Sequence, residues 1–112
     1  MTKKLFKIET EKIENGTSMM RYCESLTRFD GDLSSLTSGR EMFYLCRNLT
    51  DFNADLSSLT DGYMMFASCS SLKSFVIDMG SLTNGDNMFY DCDNLTSFSN
   101  DLSSLIDGNM MF

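Results

Sequence analysis

The stretch LTDFNADLSSLTDGYMMFASCSS, residues 49–71, decides the architecture, because the chain repeats it on either side. LTRFDGDLSSLTSGREMFYLCRN precedes it at 26–48, LKSFVIDMGSLTNGDNMFYDCDN follows at 72–94, and LTSFSNDLSSLIDGNMMF occupies 95–112. A fainter copy, KKLFKIETEKIENGTSMMRYCES, fills 3–25. The period is 23 residues. A fixed period of this size is the signature of a solenoid, in which each copy is one coil stacked on the next.

Within a copy, apolar residues stand at the first, fourth, sixth and eleventh positions, with a small polar residue at the ninth. Leu49, Phe52, Ala54, Leu59 and Ser57 fill these places in one coil. That spacing is the leucine-rich pattern, although the sixth position is weak (Gly31, Ala54, Ile77, Asn100). The fourth position should lie in a short strand, as in Asp51-Phe52-Asn53. Alternation then turns Phe52 inward and its neighbours outward. The remainder of the coil reads MF-x-x-C, as in Met65-Phe66 and Cys69. Apolar residues at i, i+1 and i+4 predict one short helical turn. Gly16, Gly39, Gly62, Gly85 and Gly108 precede this turn and mark a corner needing positive φ or close approach.

The expected fold is therefore an α/β solenoid. It is a right-handed leucine-rich-repeat coil with a short parallel sheet on one side and short helical or 3-10 turns on the other. Residues 1–112 form a single solenoid of almost five coils, of which 1–25 are an atypical N-terminal cap repeat and 26–112 regular repeats, the last truncated. Stacking turns repeated residues into columns. Phe6, Phe29, Phe52, Phe75 and Phe98 make one under the sheet, and Met20, Phe43, Phe66, Phe89 and Phe112 another under the opposite wall.

Composition limits the chemistry. The chain has no His, Pro or Trp, so the commonest general base and metal ligand is missing. A net charge of -7 argues against nucleic acid, whose phosphates call for a basic surface. The charge is uneven: residues 1–48 carry eight basic and seven acidic groups, residues 49–112 one basic and nine acidic. No apolar run is long enough to span a bilayer, so membrane insertion is not expected. The opening MTKKLFKIETEKIENG has no apolar stretch behind its lysines and does not read as a signal peptide.

The motif Cys69-x-x-Leu72-x-x-Phe75, then Ser81-Leu82-Thr83-Asn84-Gly85, then Met88-Phe89-x-x-Cys92 resembles the BspA-like leucine-rich repeat, also called the Treponema pallidum-type repeat. The resemblance covers essentially the whole chain, including the period. The chain departs from the family pattern by lacking Pro before the hydroxyl-rich turn and by Met before Phe where Ala is common. The resemblance implies a cell-surface or secreted protein that adheres to host proteins or other cells.

Four recurring groups are candidate sites. Cys23, Cys46, Cys69 and Cys92 should form a ladder of buried free thiols, because ligands in a line cannot converge on zinc and parallel side chains suit no disulfide. Glu9, Asp32, Asp55, Asp78 and Asp101 could be calcium ligands, but they suit side-chain-to-backbone turns better, one carboxylate per coil being too few for an oxygen cage. The hydroxyls Ser34, Ser35 and Thr37, repeated at Ser57, Ser58 and Thr60, should serve backbone groups at a turn. The outward strand positions differ from copy to copy: Arg28, Asp30, Asp51, Asn53, Ser74, Val76, Ser97 and Ser99. A shared scaffold with copy-specific positions is how solenoids build binding surfaces, and these eight are the candidate binding face.

No catalytic motif, metal site or cofactor is read, and the expectation is a protein-binding, non-enzymatic module. The alternative is a self-assembling unit, a dimer or fibre, joined through the C-terminal coil edge at Met110, Met111 and Phe112. An enzyme or metal-dependent binder using the acidic row ranks third.

Overall fold

The computed structural model describes residues 5–6, 12–100 and 102–112, with side chains from residue 12 onward. Expectations for the side chain of Phe6, for Glu9 and Asp101, and for most of the cap lie outside the described residues.

Each coil contributes one short strand: β1 (Leu5–Phe6), β2 (Arg28–Asp30), β3 (Asp51–Asn53), β4 (Ser74–Phe75) and β5 (Ser97–Phe98). A half-buried aromatic flanked by polar residues suits a pleated strand, and Phe52 is buried between exposed Asp51 and Asn53. All pairs are parallel and one repeat apart, with Phe29 opposite Phe52 and Phe75 opposite Phe98. The sheet is not continuous. β1, β2 and β3 form one sheet, and β4 and β5 another.

One sequence difference coincides with the break. In the intact pairs, the N–H groups of Thr50 and Asp51 share the Thr27 carbonyl, and the Thr50 hydroxyl donates to the same oxygen at 3.1 Å. Thr96 and Ser97 treat the Lys73 carbonyl likewise. Lys73 stands where the other regular coils carry Thr, so it has no hydroxyl for this bond to Thr50.

The opposite wall corrects the helical expectation. No helix forms among the described residues. Alternate N–H groups point along the solenoid to the following coil: Gly39 to Asp61, Glu41 to Tyr63, Phe43 to Met65 and Leu45 to Ala67, all at 2.9–3.0 Å. The intervening N–H groups of Met42, Tyr44 and Cys46 bond three residues back within their own coil. An α-helix would need all of these donors for itself. The backbone is also left-handed at two places per coil, as at Glu41 (φ 55°) and Leu45 (φ 62°), or Met64 (φ 52°) and Ser68 (φ 60°). Each is the third residue of a four-residue turn, the place where a type II turn requires positive φ. The MF-x-x-C segment is thus a chain of tight turns laddered to its neighbours.

The glycines have the second of the two roles anticipated for them. None has positive φ. A Cβ on Gly39 would stand 2.8 Å from Sδ of Met65, and one on Gly16 2.7 Å from Sδ of Met42. Gly is needed because the methionine of the next coil seats on its bare backbone.

Between the walls lie the two aromatic columns. Phe29, Phe52, Phe75 and Phe98 stack at 5.5–6.2 Å, and Phe43, Phe66, Phe89 and Phe112 at 5.4–5.7 Å. Rings of opposite columns meet edge to face, Phe52 and Phe66 at 4.8 Å and 78°. Both geometries suit the ring quadrupole. Leu33, Leu56 and Met79, at the eighth position, are fully buried as well. The leucine-rich template overlooked them, although the apolar residue recurring at 33, 56, 79 and 102 was a usable signal.

Candidate functional site

The strand face is set by this core. Burial of Phe29, Phe52 and Phe75 forces the residues on either side outward, because the pleat alternates. Arg28, Asp51, Asn53, Ser74, Val76, Ser97 and Ser99 are exposed and Asp30 is half-buried. Parallel register brings them into rows, with Arg28 beside Asp51, Asp30 beside Asn53 and Ser74 beside Ser97. Val76, 62% exposed, is the one large apolar side chain among them. It lies at the break between the two sheets, next to an open groove of about 410 Å³ lined by Asn53, Ala54, Asp55, Ser57, Val76, Ile77 and Asp78. Asn100 fastens the far side of that groove, accepting the Ile77 N–H at 2.6 Å and donating to the Phe75 carbonyl at 2.9 Å.

The other candidates are bound up in the scaffold. Asp32 and Asp55 each accept an N–H from two residues on, Ser34 and Ser57, at 2.8 Å, and Asp78 accepts that of Gly80 at 2.9 Å. The Ser34 hydroxyl, and after it the Ser34 N–H, holds the Asp32 pKa below its ordinary value. Thr37, Thr60 and Thr83 donate to the carbonyls of Glu14, Thr37 and Thr60, one coil back.

The four cysteines are free thiols, three of them buried. They are more than apolar filler. Cys46, Cys69 and Cys92 donate S–H to the carbonyls of Met20, Phe43 and Phe66 at 3.0–3.2 Å, each reaching the preceding coil. Burial pushes the thiols of Cys46 and Cys92 up to about 12, and that of Cys69 well above its ordinary value. Thiols so protonated are poor nucleophiles and poor metal ligands.

The turn wall carries a feature that sequence reasoning missed. The Arg21 guanidinium lies 4.9 and 5.3 Å from the rings of Tyr22 and Tyr44, and 3.4 Å from Glu41. Arg40 sits 4.5 Å from the Tyr63 ring and 2.9 Å from Asp61, whose hydrogen bond raises its already high pKa. Tyr and Arg are the residue types enriched at binding hot spots. Their places in the repeat hold other residues in other copies (Arg21, Tyr44, Ala67, Tyr90), which was the available signal.

At the C-terminal edge the three singled-out residues separate. Met110 and Phe112 are 59% and 63% exposed, whereas Met111 is buried and seats on Gly85. Phe112 extends its column by stacking on Phe89 at 5.7 Å.

Laddered parallel strands, one coil per repeat and stacked internal columns define a leucine-rich-repeat solenoid. Residues 3–109 match the model of the BspA type leucine-rich repeat region, with six copies of its unit. The chain belongs to that family. The structure is similar to the crystal structure of a leucine-rich repeat protein from Bacteroides ovatus, with a TM-score of 0.60 and 25% identity over 90% of this chain. The chain spans 26% of that protein's length. Comparison with curated proteins gives no match.

Proposed function

We propose that the chain is a non-catalytic protein-binding module that adheres to a host or cell-surface protein through its strand face. The observation that carries this reading is the contrast within each coil. Inward positions repeat as Phe, Leu and Met, while the outward pair changes from Arg28 and Asp30 to Asp51 and Asn53, then Ser74 and Val76, then Ser97 and Ser99. Membership of the leucine-rich-repeat family supports it, since such solenoids present extended surfaces to protein partners. The test is a binding screen against host matrix and cell-surface proteins, followed by Asp51→Arg and Val76→Arg. Loss of a saturable interaction with these variants, and its retention in Ser58→Arg on another face, supports the strand face. Retention in all three sinks it.

A second reading is end-to-end association through the C-terminal coil edge. The exposure of Met110 and Phe112 favours it. Light scattering across concentration distinguishes the two. Growth in mass that Phe112→Ser abolishes supports assembly, and a concentration-independent monomer rejects it.

A further inference from the structure

All four tyrosines of the chain and three of its four arginines stand on the turn wall. In the coil of residues 26–48 the wall carries Arg40, Tyr44 and Arg47. In the coil of 72–94 the same three places in the repeat hold Asp86, Tyr90 and Asp93. The coil between them has Tyr63, Ala67 and Ser70 there, all uncharged. The wall thus repeats one pattern on either side of a neutral set, with the sign of the charge reversed.

These side chains are available. Arg40, Arg47, Tyr90 and Asp93 are exposed, and Tyr44 and Asp86 half-buried. Arg47, Asp91 and Asp93 make no ion pair among the described residues. They line an open groove of about 280 Å³ with Ser68 and Ser70. Arg40 is held by Asp61 at 2.9 Å and by the Tyr63 ring at 4.5 Å, yet its side chain remains 44% exposed. Asp86 accepts the Asn109 N–H at Oδ1, and its second oxygen can take another donor. Glu41, the one acid on this wall in the coil of 26–48, is turned to Arg21 at 3.4 Å.

A surface of this kind is complementary to itself under a two-fold axis. Two copies can be set turn wall to turn wall, with the axis running along the coil of 49–71. Each place in the coil of 26–48 then meets the same place in the partner's coil of 72–94. Arg40 faces the partner's Asp86, Arg47 the partner's Asp93 and Tyr44 the partner's Tyr90, and every contact occurs twice. Tyr63 and Ser70 meet their own copies without charge. An axis along the solenoid instead sets arginine against arginine and aspartate against aspartate, which like-charge repulsion disfavours. Tyrosine and arginine are also residue types enriched in protein interfaces.

We propose that the turn wall docks a second copy of the chain, as an antiparallel two-fold dimer in which Arg40, Tyr44 and Arg47 meet Asp86, Tyr90 and Asp93 of the partner subunit. The two strand faces are left free on opposite sides of the dimer. The proposal is therefore independent of binding through the strand face, and distinct from end-to-end association at Met110 and Phe112.

Analytical ultracentrifugation across concentration at low salt tests it, and a species of twice the chain's mass is expected. Arg47→Asp and Asp93→Arg change exposed residues that hold no ion pair within the chain, so both variants keep the fold. Each alone sets like charges across the interface and should weaken the dimer by on the order of tenfold or more. Mixed in equal amounts, the two should restore it. The acid introduced at 47 then meets the base introduced at 93, and the unaltered Asp93 of the first copy meets the unaltered Arg47 of the second. Phe112→Ser should leave the dimer intact. A monomer at every concentration, a dimer that neither variant weakens, or a mixture that stays dissociated overturns the proposal. Loss of the dimer in Phe112→Ser overturns it too, because it assigns the contact to the coil edge.

Discussion

The strand wall and the turn wall stack the same coils, yet only one is continuous. On the strand side the sheet stops between β3 and β4. On the turn side the bridges run unbroken from Asn15 through Ser38, Asp61 and Asn84 to Asp107. The regular-looking wall is the interrupted one, and the wall with two left-handed residues per coil is the spine. The turn wall sends every second N–H to the next coil, whereas the strand wall is interrupted at the copy that carries Lys73 in place of threonine. Regular secondary structure is therefore a poor guide to which wall holds this solenoid together.

Alkaline pH should produce the largest effect. The buried thiols of Cys46, Cys69 and Cys92 have raised pKa values in the folded state. Between their ordinary value of 9.0 and about 12 the folded chain binds more protons than the unfolded one, so stability falls as pH rises. It should be undiminished below pH 9 and lost progressively above it, as followed by urea denaturation. Cys46→Ala and Cys92→Ala should flatten the profile, and an unchanged slope would refute the assignment to the thiols.

Phe66→Ala removes a ring that touches both columns and should cost about 3–5 kcal/mol, read as a lower denaturation midpoint. Gly39→Val tests the spine at the Met65 seat. It should cost about 1–3 kcal/mol by overpacking, and a neutral result would mean that the methionine has room to retreat. Ser68→Gly tests the left-handed turns and should stabilise the chain by about 0.5–1 kcal/mol, the strain of positive φ outweighing the added chain entropy. Smallest of all, Lys73→Thr should add about 0.5 kcal/mol by joining β3 to β4. Slowed hydrogen exchange at residues 73 and 74 would show it, and unchanged exchange would place the cause of the break elsewhere in that copy.

Much of this was legible because repetition carries the signal. The strand at Asp51–Asn53, its inward Phe52, the phenylalanine columns and the outward variable pair all follow from period and alternation. The wrong expectation, a helical turn at MF-x-x-C, came from the same reasoning. Spacing i, i+1, i+4 places three side chains on one side in a helix, but a chain of tight turns does so too. Sequence periodicity reports which side chains point inward and not where the N–H groups go. The Arg21–Tyr22–Tyr44 cluster escaped notice because its members come from two coils and meet only on stacking.

The sequence by itself determined a solenoid of the BspA type, its period, its phenylalanine columns and the face that varies. Each of these depends on a pattern repeated along one dimension. The tertiary structure decided the form of the turn wall, the seating of methionine on glycine, the thiol bonds to the preceding coil and the break between β3 and β4. All of those are contacts between coils, about 23 residues apart, whose hydrogen bonds and close approaches exist only once one coil lies against the next.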